Sequence, residues 1–549
     1  MKARAAHAAA VLVTIALAGC GGASSSVPPA AVSKATWSAS TSAQFRITIP
    51  PKSAQAAVLS PKYVSASTQS VTITLTNVNG TAYTGTSSSP AAVSTSLSSS
   101  SPNCTSGASG LTCTAPATAV PGVDVYSVAT YDGSGNVLSD GTATLTVVAG
   151  QANTSNLTLN GVVASITVAF TSDPHVSGTQ SGGFSIIGNY PREFTVVPLD
   201  ADGNTIIGPG APTFTLSSGS SAIAVASTGT SGTYTAQAQS YSTTPVQITI
   251  TPSTGTAVNV DVTTVQEMWV ANSGNNTITA YNATTGTQIG DDTITAGVDA
   301  PFMITTGPNG DLWISNYSSN QIEEVEPSTN VGVLSFSGSA TQIDGPFGIA
   351  FDKNGNLYLS NGPGNQISVF GASSFSELTG AQDLALTSST TAGASDPVQN
   401  AFDSSGNLWV AQSGNATVTV YNTSLTEIAS LAGSDTRFVG PTGVAFDPAG
   451  HLWVADNAGA TIYEFNATSV TSIGTDIDPM TQITGTNTQI HSPIGIAFDA
   501  AGNLWVANNQ TTTAMLEFSA ASLSAGGNLT PATTITAGLS AAAGLTFTP

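Results

Sequence analysis

A four-residue core recurs through the second half of the chain: "MWVA" (268–271), "LWIS" (312–315), "LYLS" (357–360) and "LWVA" (408–411, 452–455, 504–507). Successive starts lie 44, 45, 51, 44 and 52 residues apart. An apolar run this short, bounded by turn residues, fits a strand buried on both faces. Upstream of most copies stands a partner strand ending in a tight turn: "PFGIAFDKNGN" (346–356), "PVQNAFDSSGN" (397–407), "PTGVAFDPAGH" (441–451) and "PIGIAFDAAGN" (493–503). Downstream comes a third strand, as in "NTITAYN" (276–282) and "TIYEFN" (461–466). Multi-strand units repeating every ~40–50 residues predict a β-propeller. The first copy has no "GIAFD" strand before it, and the chain closes on "AAAGLTFTP" (541–549), a strand of that type with nothing after it. The tail is expected to complete the first unit, giving six blades over residues 266–549 and leaving no open sheet edge.

The consensus P-x-G-I-A-F-D-x-x-G-N-L-W-V-A-N resembles the NHL and streptogramin (virginiamycin B) lyase group of propellers. That resemblance implies the architecture and says little about activity, because function resides in sites grafted on folds. In the lyases a Glu ends the "LWVA"-type strand and a general-base His follows the repeat Pro. The corresponding positions here hold Asn272, Asn316, Asn361, Gln412, Asp456 and Asn508 in the first register. The second holds Phe302, Phe347, Val398, Thr442, Ile494 and Ala543. Neither register holds a Glu or a His. The related gluconolactonase-like propellers imply Ca²⁺ or Mg²⁺ held by oxygen ligands, which Asp299, Asp344, Asp396 and Asp456 would provide.

Before residue 266 the pattern alternates apolar with hydroxyl residues in short runs, as in "SVTITLTNV" (70–78) and "EFTVVPLDADGNTI" (193–206). Such runs suit strands with one buried face. Two β-sandwiches are expected, at 40–161 and 162–265, similar in pattern to bacterial immunoglobulin-like modules. "DGSGN" and "DADGN" read as tight turns; neither is followed by the Glu of a calcium loop. Cys104 and Cys113, within "NCTSGASGLTC", are expected to form one local disulfide.

Residues 1–20, "MKARAAHAAAVLVTIALAGC", combine a basic start with a short apolar run. "LAGC" resembles a lipoprotein lipobox, which implies cleavage before Cys20 and its acylation. Gly21 in place of Asp then implies the outer membrane of a two-membrane cell, with residues 21–39 as a flexible tether. The membrane is expected to be met only through this anchor. Formal net charge is −22, from nine Lys+Arg against 31 Asp+Glu. No basic cluster exists to neutralise phosphates, so nucleic acid is excluded as a partner.

The repeat register sorts the polar residues. Asp447 aligns with Asp352, Asp403 and Asp499, each opening an F-D-x-x-G turn, and His451 stands where Asn356, Asn407 and Asn503 stand. Both are assigned to the turn. Asp456 shares its register with Asn272, Asn316, Asn361, Gln412 and Asn508, at the end of the second strand. The loops before each P-x-G emerge on that same face and carry Asp299, Asp344, Asp396, Arg437 and His491. Two readings stay open for this rim: side chains that cap loop backbone, or side chains that meet a ligand.

No G-x-S-x-G elbow or phosphate-binding loop is present. Residues 266–549 hold 23 acidic residues and two basic ones, Lys353 and Arg437, which favours cations or neutral glycans over anionic substrates. The expected function is that of a monomeric, surface-anchored binding or scaffold lipoprotein for an extracellular ligand or partner. The alternative is a divalent-metal-dependent lyase or lactonase. Metal content and cofactor are not fixed by any motif.

Overall fold

The strand Ala542–Thr548 pairs antiparallel with Glu267–Asn272, far earlier in the chain, with Val270 opposite Leu545 and Met268 opposite Phe547. This pairing was found in a computed structural model that describes residues 41–51, 64–157, 159–208, 210–509 and 513–548. Cys20, the leader and the tether lie outside the described residues.

From Glu267 onward the chain forms six sheets in sequence, five of four strands and one of five. Each places a "P-x-G"-type strand innermost, the "LWVA" strand next and two further strands outside it, the second sheet adding Gly380–Gln382 as a fifth. The first sheet takes its innermost strand from the C-terminus. The innermost strands touch in order, and Ala542–Thr548 touches both Pro301–Thr306 and Pro493–Phe498, so the set closes on itself. This is a propeller-type ring. The "LWVA" strands are buried at every position because each sheet is sandwiched between neighbours. That double burial is why they read as unbroken apolar runs.

The glycine of P-x-G is set by the narrow centre of the ring. A Cβ on Gly348, Gly443, Gly495 or Gly544 would meet the carbonyl oxygen of Val398, Ile494, Ala543 or Phe302, the last two at 2.6 Å. Two copies carry a side chain there instead, and both reach over the axis. Gln399 Nε2 donates to Ile496 O at 2.9 Å, two sheets away, while its Oε1 accepts from Val444 N at 3.3 Å and Ile496 N at 3.1 Å. Met303, 3% exposed, reaches the vicinity of Gly495. The centre is therefore floored.

The long segments at 371–396 and 466–492 are partly spent on neighbouring sheets. Gly380–Gln382 pairs parallel with Val331–Phe336 of the preceding sheet. Thr475 bridges to Leu431, and Asp476 accepts from the backbone of Ser434, Asp435 and Thr436.

Ahead of the ring stand two pairs of facing sheets. In the first, Thr41–Ile49 alternates buried and exposed residues, and Phe45 meets Tyr126 edge-on at 4.9 Å in the shared core. Cys104 and Cys113 sit opposite each other on adjacent strands and are disulfide-bonded. In the second, Phe194, Ile186, Ile248, Ile250 and Val262 fill the core. The D-x-x-G-N segments are tight turns, as expected: Asp132 Oδ1 accepts from Ser134 and Asn136 N–H, and Asp200 Oδ1 from Asp202 and Asn204. Asn204 also donates to Ser65 and Ser67 Oγ at 3.0 Å, joining the two sandwiches.

Removing residues 541–549 would open an edge on Glu267–Asn272 and cost several backbone hydrogen bonds at about 1 kcal/mol each. A domain of this size shifts by about 2–4 °C per kcal/mol. Calorimetry of the truncated protein is expected to show the ring's transition lowered by ~10 °C or more.

Candidate functional site

Two faces of the ring collect the repeated polar residues, and they differ in what those residues do. On one face lie the F-D-x-x-G turns. Asp352 Oδ1 accepts from Asn354 and Asn356 N–H at 2.8 and 2.9 Å, and its Oδ2 from the Asn356 amide at 2.8 Å. Asp403, Asp447 and Asp499 repeat the pattern, with Gly355, Gly406, Gly450 and Gly502 at φ of 80–88°. The same carboxylates accept the indole N–H of Trp409, Trp453 and Trp505 at 3.0–3.2 Å. In the second sheet Gly307 replaces the Asp, and the Trp313 indole nitrogen is buried without a partner. His451 stands in for Asn: its Nδ1 lies 3.1 Å from Asp447 Oδ2 and 3.0 Å from Glu464 Oε1. Burial raises the Glu464 carboxyl, with the His451 charge pulling it back, and burial pushes Glu324 on the second sheet up to about 7.

On the opposite face the "LWVA" strands end at Asn272, Asn316, Asn361, Gln412, Asp456 and Asn508. All six are buried, between 0% and 2% exposed. Their oxygens accept from backbone N–H groups of the loop before the innermost strand. Asn316 takes Asp299 N at 3.0 Å, Asn361 takes Asp344 N at 3.3 Å, and Gln412 takes Ser395 N at 2.8 Å. Asn508 accepts from His491 and Ser492, Asn272 from Ser540, and Asp456 from Val439 and Gly440 at 2.8 Å each. Each of these six side chains is buried with its oxygen engaged by the adjoining loop. They fix the loops. A further set was missed in the sequence. Asn276, Asn320 and Asn365, each in left-handed conformation, accept from Ala300, Gly345 and Asp396 N–H and clasp the same loops from the next turn. Their signal was an Asn four residues beyond the capping position in the first three copies.

Of the loop residues, Asp344, Arg437 and His491 are exposed, and Asp299 and Asp396 are half-buried. Arg437 is paired with Asp478 at 2.6 Å. Asp396 Oδ2 accepts from Ser413 Oγ at 2.6 Å. The four carboxylates proposed for Ca²⁺ or Mg²⁺ are not gathered; among the described residues, no three of them lie within 4.8 Å of one another.

Between these loops lies the floor made by Phe302, Phe347, Val398, Thr442, Ile494 and Ala543. Phe302 and Phe347 pack at 4.3 Å between ring centroids. Tyr317, 39% exposed, stacks on Phe347 at 5.1 Å with planes 4° apart. Gly362 separates this stack from Asp396: a Cβ there would touch the Phe347 ring and lie 2.9 Å from Asp396 Oδ1. The mouth thus offers an aromatic platform beside a carboxylate. Aromatic faces attract cations and the apolar faces of ring compounds.

No protein-family model matches the chain, and no curated protein does. Solved structures do resemble it. Virginiamycin B lyase from Staphylococcus aureus is 16% identical over 55% of this chain and 85% of its own, at a TM-score of 0.31. A chain of a nidogen/laminin complex is 13% identical over 52% and 98%, at 0.39. A protein of unknown function from Bacteroides caccae is 13% identical over 52% and 98%, at 0.38. Enzymes and proteins without an assigned activity stand side by side among them. At these scores they carry no argument about the site, and the architecture rests on the strand pairing.

Asp456→Ala would remove the side-chain acceptor of the Val439 and Gly440 N–H groups, a loss of about 1 kcal/mol each. The expected result is a lower unfolding midpoint in denaturant, largely restored in Asp456→Asn, the amide used by four other copies.

Proposed function

We propose that the protein is a non-catalytic binding lipoprotein of the bacterial envelope. In this reading Cys20 carries a lipid anchor in the outer membrane and residues 21–39 form the tether. Two immunoglobulin-like modules, 40–161 and 162–265, then hold a six-bladed NHL-like propeller, 266–549, away from the membrane.

The observation that carries the reading is which face of the ring the second sandwich occupies. Tyr190 OH donates to Gly310 O at 3.5 Å, and Gln266, at the junction, accepts from Ala500 N at 2.6 Å. Both Gly310 and Ala500 belong to the F-D-x-x-G face. The mouth with its Tyr317–Phe347 stack points the other way, where a stalk would leave it accessible. Such an aromatic stack, with Asp396 beside it, suits a neutral glycan or a cationic ring compound. Anionic ligands would meet a ring with 23 acidic residues against two basic ones. Catalysis of the lyase type is disfavoured by Phe, Val, Thr, Ile and Ala in the register where the base belongs.

An array of immobilised neutral oligosaccharides, probed with the purified protein, tests this. Binding is expected, weakened at least tenfold by Phe347→Ala and by Tyr317→Ala and untouched by Asn354→Ala on the far face. Binding that ignores both aromatic substitutions would overturn the assignment of the mouth.

A further inference from the structure

A second polar cluster lies at the junction of the second sandwich and the ring, away from the mouth. His175, 8% exposed, sits in the turn before Val176–Thr179. Its Nδ1 is 2.9 Å from Asp173 Oδ1, which also accepts the His175 backbone N–H at 2.8 Å. Arg192 Nη1 holds the other oxygen of Asp173 at 3.2 Å. On the far side of the ring, His175 Nε2 faces Glu267 Oε1 at 3.2 Å and Asp292 Oδ2 at 2.5 Å. Glu267 opens the first "LWVA"-type strand, and Asp292 lies on Gln288–Ile294 of the same sheet. Three segments distant in sequence therefore converge on one point.

An ionised Asp173 can only accept, so Nδ1 carries the hydrogen. The Nε2 lone pair then faces two carboxylate oxygens that are also acceptors. Something positive must lie among them. With a neutral imidazole, Asp173, Glu267 and Asp292 against Arg192 leave a local charge of about −2. A proton on Nε2 removes half of that and serves one carboxylate well. A divalent ion removes all of it and serves both. Glu267 gives a second, independent sign: it is 0% exposed, and its Oε2 has no hydrogen-bond partner.

We propose that His175 Nε2, Glu267 and Asp292 bind one divalent transition-metal ion of the zinc class, fastening the second sandwich to the ring. One imidazole nitrogen with carboxylate oxygens suits zinc, whereas calcium and magnesium take oxygen alone. Asp173 is the positioning residue, fixing tautomer and ring orientation from outside the ligand set. The other group with such geometry, Asp447, His451 and Glu464, needs no ion: its His replaces a turn Asn, and Asp447 is committed to the turn and to Trp453.

The test is calorimetric titration of Zn²⁺, with Mg²⁺ for comparison, into the EDTA-stripped protein carrying His451→Asn. One equivalent of Zn²⁺ is expected to bind and raise the unfolding midpoint, with no Mg²⁺ uptake at this stoichiometry. Asp292→Asn should weaken Zn²⁺ at least tenfold, and Asp173→Asn by about 10–100-fold. Near-UV circular dichroism checks that both variants keep the parent fold. Asp173 is a quarter exposed, so its variant serves if Asp292→Asn does not fold. Absence of a one-equivalent site, or a site that both substitutions leave unchanged, would overturn the proposal in favour of a protonated His175.

Discussion

The pairing of Ala542–Thr548 with Glu267–Asn272 is the constraint from which the rest of the ring follows. An open array of six sheets would leave an unpaired edge and a half-covered first sheet. Closure covers both, and it also crowds the centre. Crowding accounts for Gly348, Gly443, Gly495 and Gly544, and for the way Gln399 and Met303 occupy what space remains. The floor of the mouth is thus a by-product of closing the ring.

The two faces apply one chemical device. A side-chain oxygen accepts N–H groups that a tight loop cannot satisfy itself, and an unsatisfied buried group costs more than an ordinary hydrogen bond supplies. On the F-D-x-x-G face the oxygen belongs to Asp, and on the other to Asn, Gln or Asp456. Repeated polar residues therefore describe architecture. Side chains left exposed on the mouth face, such as Tyr317 and His491, are ones that break the repeat. The sandwich abuts the turn face, which divides the molecule into a supported side and a presented side.

Much of this was legible in the sequence because it recurs. The "LWVA" spacing gave the sheets, the orphan tail gave the closure, and alignment with Asn356, Asn407 and Asn503 placed His451 in a turn. The capping role of the six second-strand residues was one of two readings the register allowed; only burial decides between them. Features that occur once were hidden. Gln399 and Met303 depart from P-x-G, a visible signal whose meaning depends on the width of the ring. His175, Glu267 and Asp292 share no motif, because nothing in a linear pattern says that a sandwich turn will land on the first sheet. The Tyr317–Phe347 stack joins two adjacent sheets and is equally silent.

Hydrogen exchange followed by mass spectrometry tests the central claim most directly. Backbone amides of residues 542–548 should exchange as slowly as those of 268–272 and of the interior "LWVA" strands, since all belong to one cooperative unit. Rapid exchange across 542–548, with 268–272 protected or not, would show a tail that does not close the ring and would contradict the account.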